Sequence, residues 1–126
     1  MSFETDLKAH LQGGAAVSAL VADRIHPQIV PEGSTLPVVT YTSVFGQPVS
    51  CLDGFTSAVA RYSVQIDCWA KTRDAAAALA LAVRDRMNTA ASSFSALITQ
   101  DPLIKDYEAD TRRYRHALEV SCHHKE

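Results

Sequence analysis

Residues 61–69, RYSVQIDCW, alternate strictly between apolar and polar side chains. Tyr62, Val64, Ile66 and Cys68 share one face while Arg61, Ser63, Gln65 and Asp67 share the other, which is the two-residue period of a half-buried β-strand. Three residues past Trp69, Thr72 has the side chain of a helix N-cap, and Asp74 falls in the first turn. Ala76, Leu79, Val83 and Met87 then recur at helical spacing and predict a long helix to about Ala90, with Arg73, Arg84, Asp85 and Asn88 in water. A strand with one apolar face, passing directly into a helix with one alanine-rich stripe, is a helix-on-sheet unit. This stretch sets the fold class as α+β.

Working outward, residues 38–45 (VVTYTSVF) are rich in branched and aromatic side chains and predict a second strand. Residues 46–56 (GQPVSCLDGFT) read as a long hairpin connection whose arms extend the sheet. Farther upstream, Ser2 is placed to cap a first helix in which Phe3, Leu7 and Leu11 form an apolar stripe and Gly13-Gly14 the stop. A short second helix, Ala15 to Val21, is expected to turn Val17, Leu20 and Val21 inward. Pro27 keeps His26 extended, and residues 31–37 form a loop. Downstream, residues 94–99 (FSALIT) predict a strand ended by Asp101-Pro102, with Leu103 to Asp110 irregular. Arg112 to Cys122 predicts the last strand, with Tyr114, His116, Leu118, Val120 and Cys122 on one face. The expected order is α-α-β-β-α-β-β: a mostly antiparallel sheet of four strands or slightly more, one long helix packed on it, and short N-terminal helices. Residues 1–126 are expected to form a single domain.

Composition narrows the function classes. Among 126 residues, 47% are hydrophobic and 21% charged, which excludes a disordered or collagen-like chain. Twelve Lys plus Arg against fourteen Asp plus Glu leave a net charge of -2, without the basic excess expected of a sequence-specific nucleic-acid binder. The N-terminus lacks the charged start and apolar run of a secretory signal, and no apolar stretch is long enough to span a membrane. Cys51, Cys68 and Cys122 are an odd count without CxxC spacing, the pattern of free thiols in a reducing cytoplasm.

Reactive constellations are sparse. Cys122, His123 and His124 sit together with His116 nearby, but successive residues of a strand point to opposite faces and no second Cys/His pair completes a tetrahedron. They read as a polar C-terminal tail. Cys68 reads as a small buried hydrophobe, and Cys51 has no nucleophile-elbow or cysteine-protease context. No phosphate loop, HExxH or GxSxG occurs. We therefore expect no catalytic, metal-binding or cofactor-binding residues and no enzymatic activity. Arg112, Arg113 and Arg115 are balanced by Asp106, Glu108, Asp110 and Glu119. Trp69 falls on the polar face of its strand, where it either caps the strand end or packs against a partner.

Several segments in order carry a family resemblance. Residues 7–54 contain a helix followed by VSALVADRIHP, then LPVVTY, then a proline and LDG. Residues 61–87 contain RYSVQIDCWA followed by an alanine-leucine helix, and DYEADTRRYRHALEVSCHH, residues 106–124, is the closing element. This arrangement resembles the small tail-completion proteins of long-tailed phages and prophages, the tail terminators and head–tail joining proteins. The resemblance implies a structural protein of the virion tail or neck, without catalysis or cofactor. It further implies a homo-oligomeric, often hexameric, ring that caps the head-proximal end of the tail tube. Its partners would be further copies of itself, the tail-tube protein and the head connector, with DNA passing through the ring. Ring contacts of this kind are head-to-tail and need two different complementary surfaces on each subunit. Phe45, Val49, Leu52 and Phe55 in the hairpin, together with Trp69, are the candidate interface residues; the alternative is that the hairpin residues cover the local core. The competing functional class is a small cytoplasmic adaptor or immunity-type binding protein.

Overall fold

The structure is a computed structural model that describes residues 3–50, 56–89, 91 and 94–125, and their side chains except at 45–50, 56–60 and 125. Three helices, α1 (Phe3–Gln12), α2 (Ala15–Val21) and α3 (Arg73–Met87), pack on one face of a sheet. The strands are β1 (Ile25–Pro27), β2 (Val38–Ser50), β3 (Thr56–Ala70), β4 (Phe94–Glu108) and β5 (Arg113–Lys125), in the order β1-β2-β3-β5-β4. The class is α+β, as the alternation in residues 61–69 requires. Val64, Ile66 and Cys68 of β3 and Leu118, Val120 and Cys122 of β5 are all 0% exposed and meet Leu79, Val83 and Met87 of α3. Removing such side chains from water is the main source of stability in a two-layer domain, about 1.5–3 kcal/mol for each large aliphatic.

The expected sheet needs two corrections. It has five strands and is mixed, because Ile25–Pro27 pairs parallel with Val39–Tyr41. The Val39 N–H donates to the Arg24 carbonyl at 3.0 Å and the Gln28 N–H to the Tyr41 carbonyl at 2.8 Å. Three residues, one of them proline, are too few to show a period. The other correction concerns β4, which continues through Pro102 to Glu108 instead of ending there. Its pairing with β5 shifts register between Gln100 and Ile104. Pro102 sits inside that shift on the outermost strand, where a missing N–H costs little. Beyond it, Asp106 lies opposite Arg115 and Glu108 opposite Arg113, so cross-strand charge pairs hold a stretch whose polarity reads as irregular.

The chain's end is also not a polar tail. The face shared by Tyr114, His116, Leu118, Val120 and Cys122 extends to His124, which is 1% exposed. His124 Nε2–H donates to the Asp6 carboxylate at 2.6 Å, and its ring meets Phe3 edge-on at 5.5 Å. A histidine fits a core when a carboxylate receives its N–H.

The helices follow their expected stripes with small departures. Phe3, Leu7 and Leu11 are buried, as are Val17 and Val21, but Leu20 is 39% exposed because the seven residues of α2 present a narrower arc than expected. Ser2 lies outside the described residues. Thr72 caps α3, accepting the Ala75 N–H at 3.0 Å, and the helix ends at Met87, short of Ala90. Between α1 and α2 the chain passes so close to Arg86 that a Cβ at Gly14 would stand 2.7 Å from the arginine Cδ. Arg86 Nε–H donates to the His10 carbonyl at 2.6 Å, and His10 Nε2–H donates to the Arg86 carbonyl at 2.9 Å. This reciprocal pair ties α1 to the end of α3. Burial holds the His10 imidazole below the ordinary histidine range, so the neutral ring is the one that fits.

Candidate functional site

The helices cover one face of the sheet and leave the other to side chains of the strands themselves. Register defines that second face as cross-strand rows. Val38, Trp69, Arg115 and Asp106 form one row; Thr40, Asp67, Ala117 and Ile104 the next; Val44, Ser63, Ser121 and Leu97 form another, nearer the hairpin.

The row at Trp69 is covered by the chain itself. Trp69 is 8% exposed, and its Nε1–H donates to Thr40 Oγ1 at 3.0 Å. The Arg113 guanidinium lies 4.6 Å and that of Arg115 5.4 Å from the indole centroid. Both arginines are anchored: Arg115 bridges both Asp106 oxygens at 3.0 and 2.5 Å, and Arg113 holds Glu108 at 2.9 and 3.1 Å. Glu108 also accepts the Thr111 hydroxyl, and the threonine, followed by the arginine, holds its carboxyl below the usual range. The expected charge balance around Arg113 and Arg115 is therefore made of direct pairs. Trp69 is covered within its own chain, with the two guanidinium groups lying over the indole.

In the next row sits Asp67, 5% exposed, accepting from Gln65 at 2.8 Å and from the Thr40 hydroxyl at 3.5 Å. Burial raises its carboxyl above the ordinary aspartate range, a shift that these donors and the Arg115 charge offset only in part. The folded chain thus holds this proton to higher pH than the unfolded chain does. Asp67 stabilises the fold most at acid pH, and its contribution declines as pH rises from the unfolded value of 3.8 through the raised folded one. Asp67→Asn, which keeps an acceptor for Thr40, should be at least as stable as the parent near neutrality. Melting temperatures compared between about pH 4 and 7 should show that decline reduced in the variant.

A cleft of about 630 Å³ opens between the start of α3 and the β4–β5 pair, lined by Arg73, Lys105, Tyr107, Tyr114, Arg115 and His116 among others. Its histidine is committed to the fold: His116 Nε2 bonds Asp101 Oδ1 at 2.9 Å, and Asp101 also receives Arg84 at 3.1 Å. His116 Nδ1 is buried and finds no partner among the described residues. The thiols are unsuited to nucleophilic work. Cys68 and Cys122 are buried, and burial drives Cys68 far above the ordinary thiol value and Cys122 up to about 12. Among the described residues no three His, Cys, Asp or Glu side chains converge to hold a metal ion, and no helix is long and apolar enough to cross a membrane.

Leu52, Phe55 and Cys51 lie outside the described residues, as do the side chains of Phe45 and Val49. The backbone of the last two belongs to β2, where Phe45 stands opposite Tyr62. The arms of the hairpin do extend the sheet, with β2 reaching Ser50 and β3 beginning at Thr56. Sequence reading passed over the exposed apolar pair Val44 and Leu97, at 61% and 68% exposure, because each sits in a run that reads as an ordinary strand. Only the row that places them at opposite margins of the sheet makes them notable.

A two-layer α+β fold with three helices on a mixed five-stranded sheet, and with direct charge pairs between its last two strands, is the class that this geometry defines. The chain belongs to the family of tail completion protein gp17, whose model matches residues 5–124. It is a structural protein of a phage-type tail and resides in the tail or neck of the virion. The fold is shared with a chain of the solved structure titled "Virion of native gene transfer agent (GTA) particle". The two are 17% identical, with a TM-score of 0.72 over 99% of this chain and 96% of that one. No curated protein sequence matches the chain.

Proposed function

We propose that the chain works as one subunit of a ring that caps the head-proximal end of the tail tube, ends tube polymerisation and offers a surface to the head connector. The ring is homo-oligomeric, a hexamer, wide enough for DNA to pass, and the chain has no catalytic role and no cofactor. The observation that carries this reading is family membership along residues 5–124, which makes the whole chain a tail-completion unit. A second support is the fold shared end to end with a chain of a virion particle. One domain spanning residues 1–126 is the subunit, too small to encircle a tube alone.

The hairpin bearing Phe45, Val49, Leu52 and Phe55 is our candidate for a subunit or tube contact. Leu52→Asp and Phe55→Asp should leave the melting temperature unchanged and reduce the assembled fraction, measured by solution mass with and without tail tubes. Loss of folding in either variant would place these residues in the core and remove the hairpin from the interface.

A further inference from the structure

A bare sheet edge offers a row of backbone N–H and C=O groups that templates pairing with another chain. Natural sheets guard their edges with charge, proline or a covering strand. In this sheet the guards stand at one end only. On one margin, β1 covers β2 at Val39–Tyr41 and stops. The Val39 N–H and the Tyr41 carbonyl turn toward β1, and by the two-residue period Ser43 and Phe45 turn their backbone groups the same way, where β2 is already outermost. On the other margin, β4 is outermost throughout. Its second half carries Asp101, Pro102, Lys105, Asp106 and Glu108, whereas residues 94–100 (FSALITQ) carry neither charge nor proline. The uncovered part of β2, residues 42–50 (TSVFGQPVS), is likewise uncharged, its one proline at a register shift.

The two unguarded segments lie at the same height. Val44 stands opposite Ser63, Ser63 opposite Ser121, and Ser121 opposite Leu97, so a single row runs from one bare edge to the other. The exposed apolar side chains Val44 and Leu97 are its two ends. Polarity also matches. The run β2-β3-β5-β4 is antiparallel at every step, so β2 and β4 point in opposite directions. Rotation about an axis along the strands leaves those directions unchanged. The β4 edge of one copy then meets the β2 edge of the next in antiparallel sense, and each copy keeps its other edge for a further neighbour. Such a heterologous contact gives a ring when the rotation between neighbours closes and an open filament when it does not.

We infer that copies of this chain join edge to edge, residues 94–99 of β4 pairing with residues 42–47 of the next copy's β2, so that the sheet continues from subunit to subunit. Leu97 then sits beside Val44 of the partner subunit, and two exposed apolar side chains become a cross-strand pair. The inference rests on the ring reading above and supplies its seam.

The test uses Val44→Cys and Leu97→Cys in a Cys51→Ser background, where Cys68 and Cys122 are buried and do not compete. The assembled protein, alone or on tail tubes, is treated with a short bis-thiol crosslinker. An equimolar mixture of the two single variants should give linked dimers and neither variant alone should, while the double variant should give a ladder that stops at the ring number. Leu97→Lys should lower the assembled fraction about tenfold with an unchanged melting temperature. Rings whose mixed variants stay unlinked, and which Leu97→Lys leaves intact, would overturn the seam while the ring stands. Linked dimers of Leu97→Cys alone would mean that two β4 edges meet about a two-fold axis, which also overturns it. Absence of rings in solution and on tube ends would remove the ring reading and the seam with it.

Discussion

Phe3→Ala should lower the stability of the folded chain by about 3–5 kcal/mol, measured by denaturant unfolding. Phe3 is the first described residue of α1, near an end of the chain where truncation is ordinarily mild. Here the ring is 2% exposed and is the hub of an aromatic cluster. It stacks on Tyr62 at 4.2 Å with 12° between planes, and meets Phe94 edge-on at 5.7 Å and His124 at 5.5 Å. One side chain thereby connects α1 to β3, β4 and β5. Its loss leaves a cavity and also weakens the enclosure of the His124–Asp6 pair, which depends on α1 lying against the sheet. Phe3→Leu keeps most of the volume and should cost less than about 1.5 kcal/mol. A loss below about 1 kcal/mol for the alanine variant would show that α1 is not held by this cluster.

Trp69→Ala should also cost about 3–5 kcal/mol in the isolated chain. The indole is enclosed by its own chain: Thr40 receives its N–H, and Arg113 and Arg115 lie on its ring. Truncation removes a large buried surface, leaves Asp67 closer to water and releases two guanidinium groups from an aromatic face, each such contact being worth about 0.5–2 kcal/mol. Trp69→Phe keeps the face and loses the hydrogen bond, so it should fall between the parent and the alanine variant. The measurement also separates the two roles that the sequence allows for this residue. A Trp69→Ala chain that melts like the parent but fails to assemble would put the indole at a partner surface.

Those two roles stayed open because alternation assigns a side chain to a face without saying what lies over it. Residues 61–69 were readable because β3 is central, with one face packed against helices and the other polar, so pattern and environment agree. The same logic made the stripes of α1 and α3 visible. It failed where local pattern and long-range pairing part company. β1 exists only because Arg24 and Gln28 meet β2, and the second half of β4 is held by arginines of β5 opposite its acids. His124 looked like solvent-exposed tail because its partner, Asp6, is 118 positions away. The candidate surface was legible in part. Trp69 stood out as misplaced, and the hairpin as a long apolar connection. The pair Val44 and Leu97 needed the register of three strand pairings before either could be seen as the end of a row.

Within the sheet, the acidic and basic residues of the last two strands meet as direct pairs, Arg113 with Glu108 and Arg115 with Asp106. Among the described residues, the stretches 42–50 and 94–100 at the sheet's margins carry no charge, and under the proposed seam another copy of the same chain pairs with their backbone.

The central claim, that copies of this chain cap a tail tube as a ring, is tested most directly by electron microscopy of tails assembled with and without the protein. The account predicts tubes of uniform length with a ring of this chain at one end, and, in its absence, tubes that overrun that length and fail to join heads. Uniform, head-joined tails formed without the chain would contradict it.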